Sequence, residues 1–225
     1  MIKPGVTTSE LDVFAEQFIR ASGAKPAFKG YRGYPSSLCT SINKQVVHGI
    51  PSKNTVLRHG DIISVDVGAV ADGFFGDAAI TVPVGLITPD ATRLIKVTEE
   101  ALMLGIAEAR PGNRLFDISA AIQAHVEKHG FSVVRDYVGH GIGRNLHEDP
   151  QIPNFGERGG GPKIKSGMVF AIEPMVNLGG CETLVMDDGW TAVSADGSLS
   201  AHVEHTIAIM SDGPLILTRD QKKSH

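Results

Sequence analysis

The chain has 225 residues, enough for one domain or two fused half-domains. Hydrophobic residues at 42% against charged residues at 20% exclude a disordered or fibrous chain. A formal net charge of −4, with the nine histidines neutral, excludes a global basic field for nucleic acid.

From the N-terminus, Pro4 and Gly5 stand where a secretory leader carries its apolar stretch, so a cytoplasmic protein is expected. Thr7 and Glu10 have capping-box spacing. Leu11, Phe14, Ala15, Phe18 and Ile19 follow at helical spacing up to a stop at Gly23, which predicts a helix with those five residues on its apolar face. The segment Asp61–Val82 reads as a hairpin turning at Asp72-Gly73. Asp66 and Asp77 are an odd number of residues apart, so both carboxylates fall on one face of that hairpin, opposite or diagonal. Their neighbours Ile62, Ile63, Val65, Val67 and Ala78 to Val82 read as buried strands. Two unpaired acids there would cost roughly several kcal/mol, so a cation between them is expected.

A second helix starts at Thr88 and Pro89, with Leu94, Val97, Ala101 and Leu104 inward, and stops at Arg110-Pro111-Gly112. The longest charge-free apolar stretch, Ala78–Pro89, holds two prolines and is far short of the about 20 residues that span a bilayer. A third helix ends at Gly130, with Ile118, Ala121, Ile122, His125 and Val126 on one face. Gly139-His140-Gly141-Ile142-Gly143 then holds a histidine in backbone that other groups can approach closely. It fails dinucleotide-loop spacing, and His147-Glu148 lacks the second histidine of a zincin. Gly159–Lys163 has no phosphate-loop pattern and reads as a flexible connection. The apolar strand Met168–Ile172 ends on Glu173, and Glu204 opens a second strand through Ile209. His59, His125, His129, His202 and His225 read as surface or cap residues, and Gln221–His225 as a frayed tail. Two cysteines, Cys39 and Cys181, make no disulfide framework.

The chain also repeats. Lys3-Pro4-Gly5 to Gly23 and Arg110-Pro111-Gly112 to Gly130 are offset by one interval, and that interval recurs between Leu57–Asp66 and Ile164–Glu173. Two helix-plus-hairpin units, about 1–87 and 88–219, are therefore expected to face each other within a single domain, followed by a tail at 220–225. The second unit is preceded by the helix at Pro89. The first has no counterpart before Lys3, so a missing helix and an uncovered apolar flank are expected there. Four carboxylates and one imidazole suit hard-to-borderline divalent ions, and the cysteine count excludes a thiolate site.

The stretches Val47–Pro51 (VHGIP), Asp66 with Asp77, Gly139–Pro150 (GHGIGRNLHEDP), Phe170–Met175 (FAIEPM) and Glu204–Thr206 (EHT) resemble the type I methionine aminopeptidases. Lys29–Cys39 and Asp188–Trp190 extend the resemblance over nearly the whole chain. It implies an α+β pita-bread fold around a dinuclear centre of cobalt, manganese, iron(II) or zinc, with Asp66, Asp77, His140, Glu173 and Glu204 as ligands. It further implies Glu173 as general base, His48 and His147 as histidines beside the reacting peptide, and Tyr31, Tyr34, Cys39 and Trp190 as the methionine pocket. Phe28 and Leu146 flank the pocket motifs. The implied partner is the N-terminal methionine of new polypeptides, preferably before a small second residue, met by a cytoplasmic, ribosome-proximal monomer with no nucleic-acid or membrane binding. A proline-directed relative on the same fold and a non-enzymatic binding module are the rival readings.

Overall fold

The computed structural model describes residues 1–219; the tail expected at 220–225 lies outside them. Helix α1 (Thr8–Ala21) opens with the capping box: the Glu10 amide donates to Thr7 Oγ1 at 3.2 Å, and the Thr7 amide donates to Glu10 Oε2 at 2.8 Å. Helix α2 (Pro89–Glu108) starts at Thr88, whose hydroxyl accepts from the Ala91 amide, with Pro89 in its first turn. Helix α3 (Leu115–Lys128) has Asp117 accepting the Arg114 amide.

Nine strands form the main sheet: β1 (Lys25–Pro26), β2 (Leu38–Ile42), β3 (Ile62–Ala71), β4 (Phe74–Pro83), β5 (Gly139–Gly141), β6 (Glu148–Ile152), β7 (Val169–Ile172), β8 (Glu204–Met210) and β9 (Gly213–Ile216). Their spatial order is β1-β3-β4-β8-β7-β5-β6, with β2 also on β3 and β9 also on β8. The pairings named here are antiparallel. Strands β3 and β4 form the expected hairpin, and Asp72 (φ 51°) and Gly73 (φ 79°) take the two left-handed positions of its tight turn. Strand β8 inserts between β4 and β7, which joins the first hairpin to the second pair of strands.

The principal core lies between the sheet and the α2–α3 pair, where Leu94, Ala101, Ile118, Ile122, Ile172 and Ile207 are fully buried. Ile122→Ala empties a site with no exposure and is expected to cost about 2–5 kcal/mol, lowering Tm by roughly 4–20 °C in a thermal melt.

Three expectations change. Phe14 and Phe18 do not face inward: they are 52% and 64% exposed, their rings 6.4 Å apart. Helix α1 packs on β1 and β2 through a narrower stripe in which Leu11 and Ile19 are buried. Leu104 is likewise exposed, because the buried face of α2 continues through Leu102, Gly105 and Ile106. The glycine run at 159–163 is no loose connection. The carbonyls of Pro162 and Gly160 accept the Leu115 and Phe116 amides, satisfying orphan donors in the first turn of α3.

Candidate metal centre

Five neighbouring strands carry the five predicted ligands to one side of the sheet. Asp66 on β3 and Glu204 on β8 both pair with Ala79 of β4, so the three residues form one row across the strands. Asp77 lies two residues from Ala79 and therefore on the same face, opposite Gly68, which makes it diagonal to Asp66. His140 on β5 pairs with Ala171 of β7, and Glu173 follows two residues later on that face. Ala79 stands between Asp66 and Glu204 in that row, and Ala171 stands opposite His140. Thr206 ties β8 to β4: its hydroxyl accepts from the Asp77 amide at 2.9 Å and donates to the Asp77 carbonyl at 2.7 Å. Glycines flank His140 because a Cβ at 139 or 141 would run into the Ala171 or Asp149 carbonyl of the adjacent strands.

The ligand atoms of Asp77, His140 and Glu204 lie within 4.8 Å of one another, and all three residues are buried. The His140 Nδ1 is 2.8 Å from the Gly141 carbonyl. A carbonyl only accepts, so Nδ1 carries a proton, and Nε2 lies 3.6 Å from Glu173 Oε1. Asp66 Oδ1 and Glu204 Oε1 are buried without any hydrogen-bond partner. Burial, and next the Asp77 charge, push the Asp66 and Glu204 carboxyls well above the usual range. Burial and Glu173 raise Asp77 to about 7, and burial raises Glu173 to about 7 although His140 opposes it. Four acids this close and this dry require protons or cations. Orphaned carboxylate oxygens with an imidazole nitrogen among them fit divalent ions of the hard-to-borderline class.

One cavity is lined by all five of these residues, by His48 and His147, and by Phe28, Tyr31, Tyr34, Cys39, Leu146 and Trp190. Tyr34 is braced by its hydroxyl, which donates to the Leu38 carbonyl at 2.9 Å, and by an edge contact with Trp190 at 5.1 Å. His147 stacks on Tyr31, with Nδ1 2.9 Å from the Tyr31 hydroxyl, and its ring centre is 4.2 Å from that of His140. His48 occupies a left-handed backbone position (φ 61°) that turns its ring against Tyr137 and Trp190. Desolvation lowers both rings to about 4, with His202 adding to the effect at His48 and His140 at His147, so both are neutral at pH 7.

Two residues of this region escaped the sequence reading. Arg32 lines the cavity mouth. His202 is not a surface residue: it is 2% exposed, its Nε2 lies 3.5 Å from Glu173 Oε2, and that nitrogen has no hydrogen-bond partner. Thr81 grips it from both sides, donating to its carbonyl at 2.6 Å and accepting from its amide at 2.9 Å. No local pattern marks it: His202 ends a short strand, Ser200–His202, that pairs with Met175–Asn177 outside the main sheet.

A model of metallopeptidase family M24 matches residues 1–211. A methionine aminopeptidase of Clostridium acetobutylicum is 57% identical over 216 residues, covering 96% of this chain and 86% of its own. Methionine aminopeptidase 1 of Bacillus subtilis is 56% identical over 218 residues, covering 97% and 88%. The solved methionine aminopeptidase of Thermotoga maritima superposes with a TM-score of 0.96 at 51% identity, covering 97% of this chain and 88% of that one.

Proposed function

The chain belongs to metallopeptidase family M24, and on that premise we propose that it acts as a methionine aminopeptidase, hydrolysing the bond after an N-terminal methionine. Its α+β architecture is the pita-bread fold of its solved relatives. The observation that carries the reading is the convergence of ligating side chains from adjacent strands beneath an apolar hollow lined by rings and a thiol.

Asp66, Asp77, His140, Glu173 and Glu204, which line one cavity, would hold two divalent ions. Cobalt, manganese, iron(II) and zinc suit these donors. Bound there, such ions acidify water and draw charge from a peptide carbonyl. Glu173 takes the proton of the attacking water at a carboxylate oxygen. His48 and His147, neutral at pH 7, offer N–H donors without adding charge. One steadies the developing oxyanion, and the other holds the peptide beside the scissile bond. The methionine thioether packs among Tyr31, Tyr34, Cys39 and Trp190, with Phe28 and Leu146 flanking them. A large second residue would crowd the two histidines, so a small one is preferred. The substrates are new polypeptides met near the ribosome in the cytoplasm by a monomer. Among the described residues, no helix is long and apolar enough to cross a membrane.

Side-by-side hydrolysis of Met-Ala, Met-Leu and Xaa-Pro peptides with added manganese or cobalt tests the reading. Release of methionine is expected, roughly tenfold or more faster from Met-Ala than from Met-Leu. Preferential cleavage of the Xaa-Pro bond would replace this reading with the proline-directed one. Absence of both cleavage and metal uptake would leave a binding module.

A further inference from the structure

Away from the cavity, α2 and α3 bring together a second set of ligating side chains. Glu100 lies midway along α2, and its Oε2 is 3.0 Å from Nε2 of His125 on the last turn of α3. His129, one turn further at the C-cap, has its ring centre 4.5 Å from that of His125. One ligand atom from each of the three lies within 4.8 Å of the other two, and all three residues are half-buried. By sequence alone both histidines look like ordinary surface or cap residues.

The detailed geometry favours a cation. His129 Nδ1 is 2.8 Å from the His125 carbonyl oxygen. That oxygen can only accept, so Nδ1 carries a hydrogen and Nε2 is the nitrogen left to ligate. A backbone carbonyl holding the second nitrogen is the usual way a metal-bound imidazole is oriented. The four-residue spacing sets both rings on one helix face. Lys96 approaches the other carboxylate oxygen of Glu100, Oε1, at 3.8 Å, leaving Oε2 toward the imidazole. Glu99 lines the same hollow and adds negative charge.

We propose that Glu100, His125 and His129 form a divalent transition-metal site, best suited to zinc, that ties α2 to the C-terminal end of α3 and is separate from the carboxylate cluster. Two imidazoles and one carboxylate are a common zinc donor set, with water completing the shell. On binding, zinc takes the place of the proton between His125 and Glu100, and that proton passes to solvent.

The test compares the intact metal-loaded chain with His125→Gln, His129→Gln and Glu100→Gln. Each is equilibrated against buffered zinc, and zinc per chain is read by elemental analysis. The carboxylate cluster contributes equally to all four proteins, so the wild type is expected to hold one more zinc than each variant. Hydrogen exchange at the last turn of α3 should slow with zinc in the wild type alone. His129→Gln alters a side chain at the helix end, so the comparison survives even if His125→Gln fails to fold. Equal zinc uptake by wild type and His129→Gln, or no uptake beyond the carboxylate cluster, would overturn the proposal.

Discussion

Glu173→Gln is expected to cut turnover on a Met-Ala peptide by about 10²–10⁴-fold, the range set by losing a positioned general base. Glutamine keeps the size and shape of the side chain but cannot take a proton at the oxygen it retains. The position is closely constrained. One carboxylate oxygen faces His140 Nε2 at 3.6 Å and the other faces His202 Nε2 at 3.5 Å. Metal content measured on the same variant separates the two contributions. A variant that keeps its ions and loses turnover isolates the proton acceptor, whereas one that loses an ion isolates the ligand. Full activity in a variant with an unchanged melt would remove Glu173 from the reaction altogether.

Stripping the protein of divalent ions should abolish hydrolysis and give it an unusual pH dependence. In the metal-free fold, Asp77 and Glu173 are raised to about 7, while in the unfolded chain they ionise near 4. Between pH 8 and 6.5 the folded state therefore binds more protons than the unfolded state, and stability must rise as pH falls. These two groups alone contribute about 1–2 kcal/mol over that interval, and Asp66 and Glu204, shifted in the same direction, add to it. Below pH 6.5 the trend is opposed. His48, His147 and His202 are held neutral down to about 4, so the unfolded chain takes up the extra protons there. Bound cations replace the protons among the carboxylates, so the metal-loaded protein should lose the gain between pH 8 and 6.5. Thermal melts of both forms at pH 8, 7 and 6.5 check this. A metal-free Tm that falls over the interval would show that the carboxylates are not held together as described.

Much of this was legible because it depends on short-range periodicity and on donor chemistry. The side-chain alternation of a strand put Asp66 and Asp77 on one face before any contact was known. Thr7, Thr88 and the Asp72-Gly73 pair marked their helix starts and hairpin turn through local hydrogen bonding and backbone freedom. Acids set among valines and isoleucines implied cations by their desolvation cost alone. The sequence also carried the residue types of the cavity in recognisable motifs.

The tertiary structure decided what depends on residues far apart along the chain. Local pattern does not dictate the insertion of β8 between β4 and β7, because strand order follows from how the whole chain buries its apolar faces. That insertion aligns Asp66, Ala79 and Glu204 in one row and brings His202 against Glu173. The same dependence misled the reading of α1, where Phe14 and Phe18 share the helical spacing of Leu11 but no element covers them among the described residues. Periodicity tells which side chains share a face; only the packing of distant segments decides what that face meets.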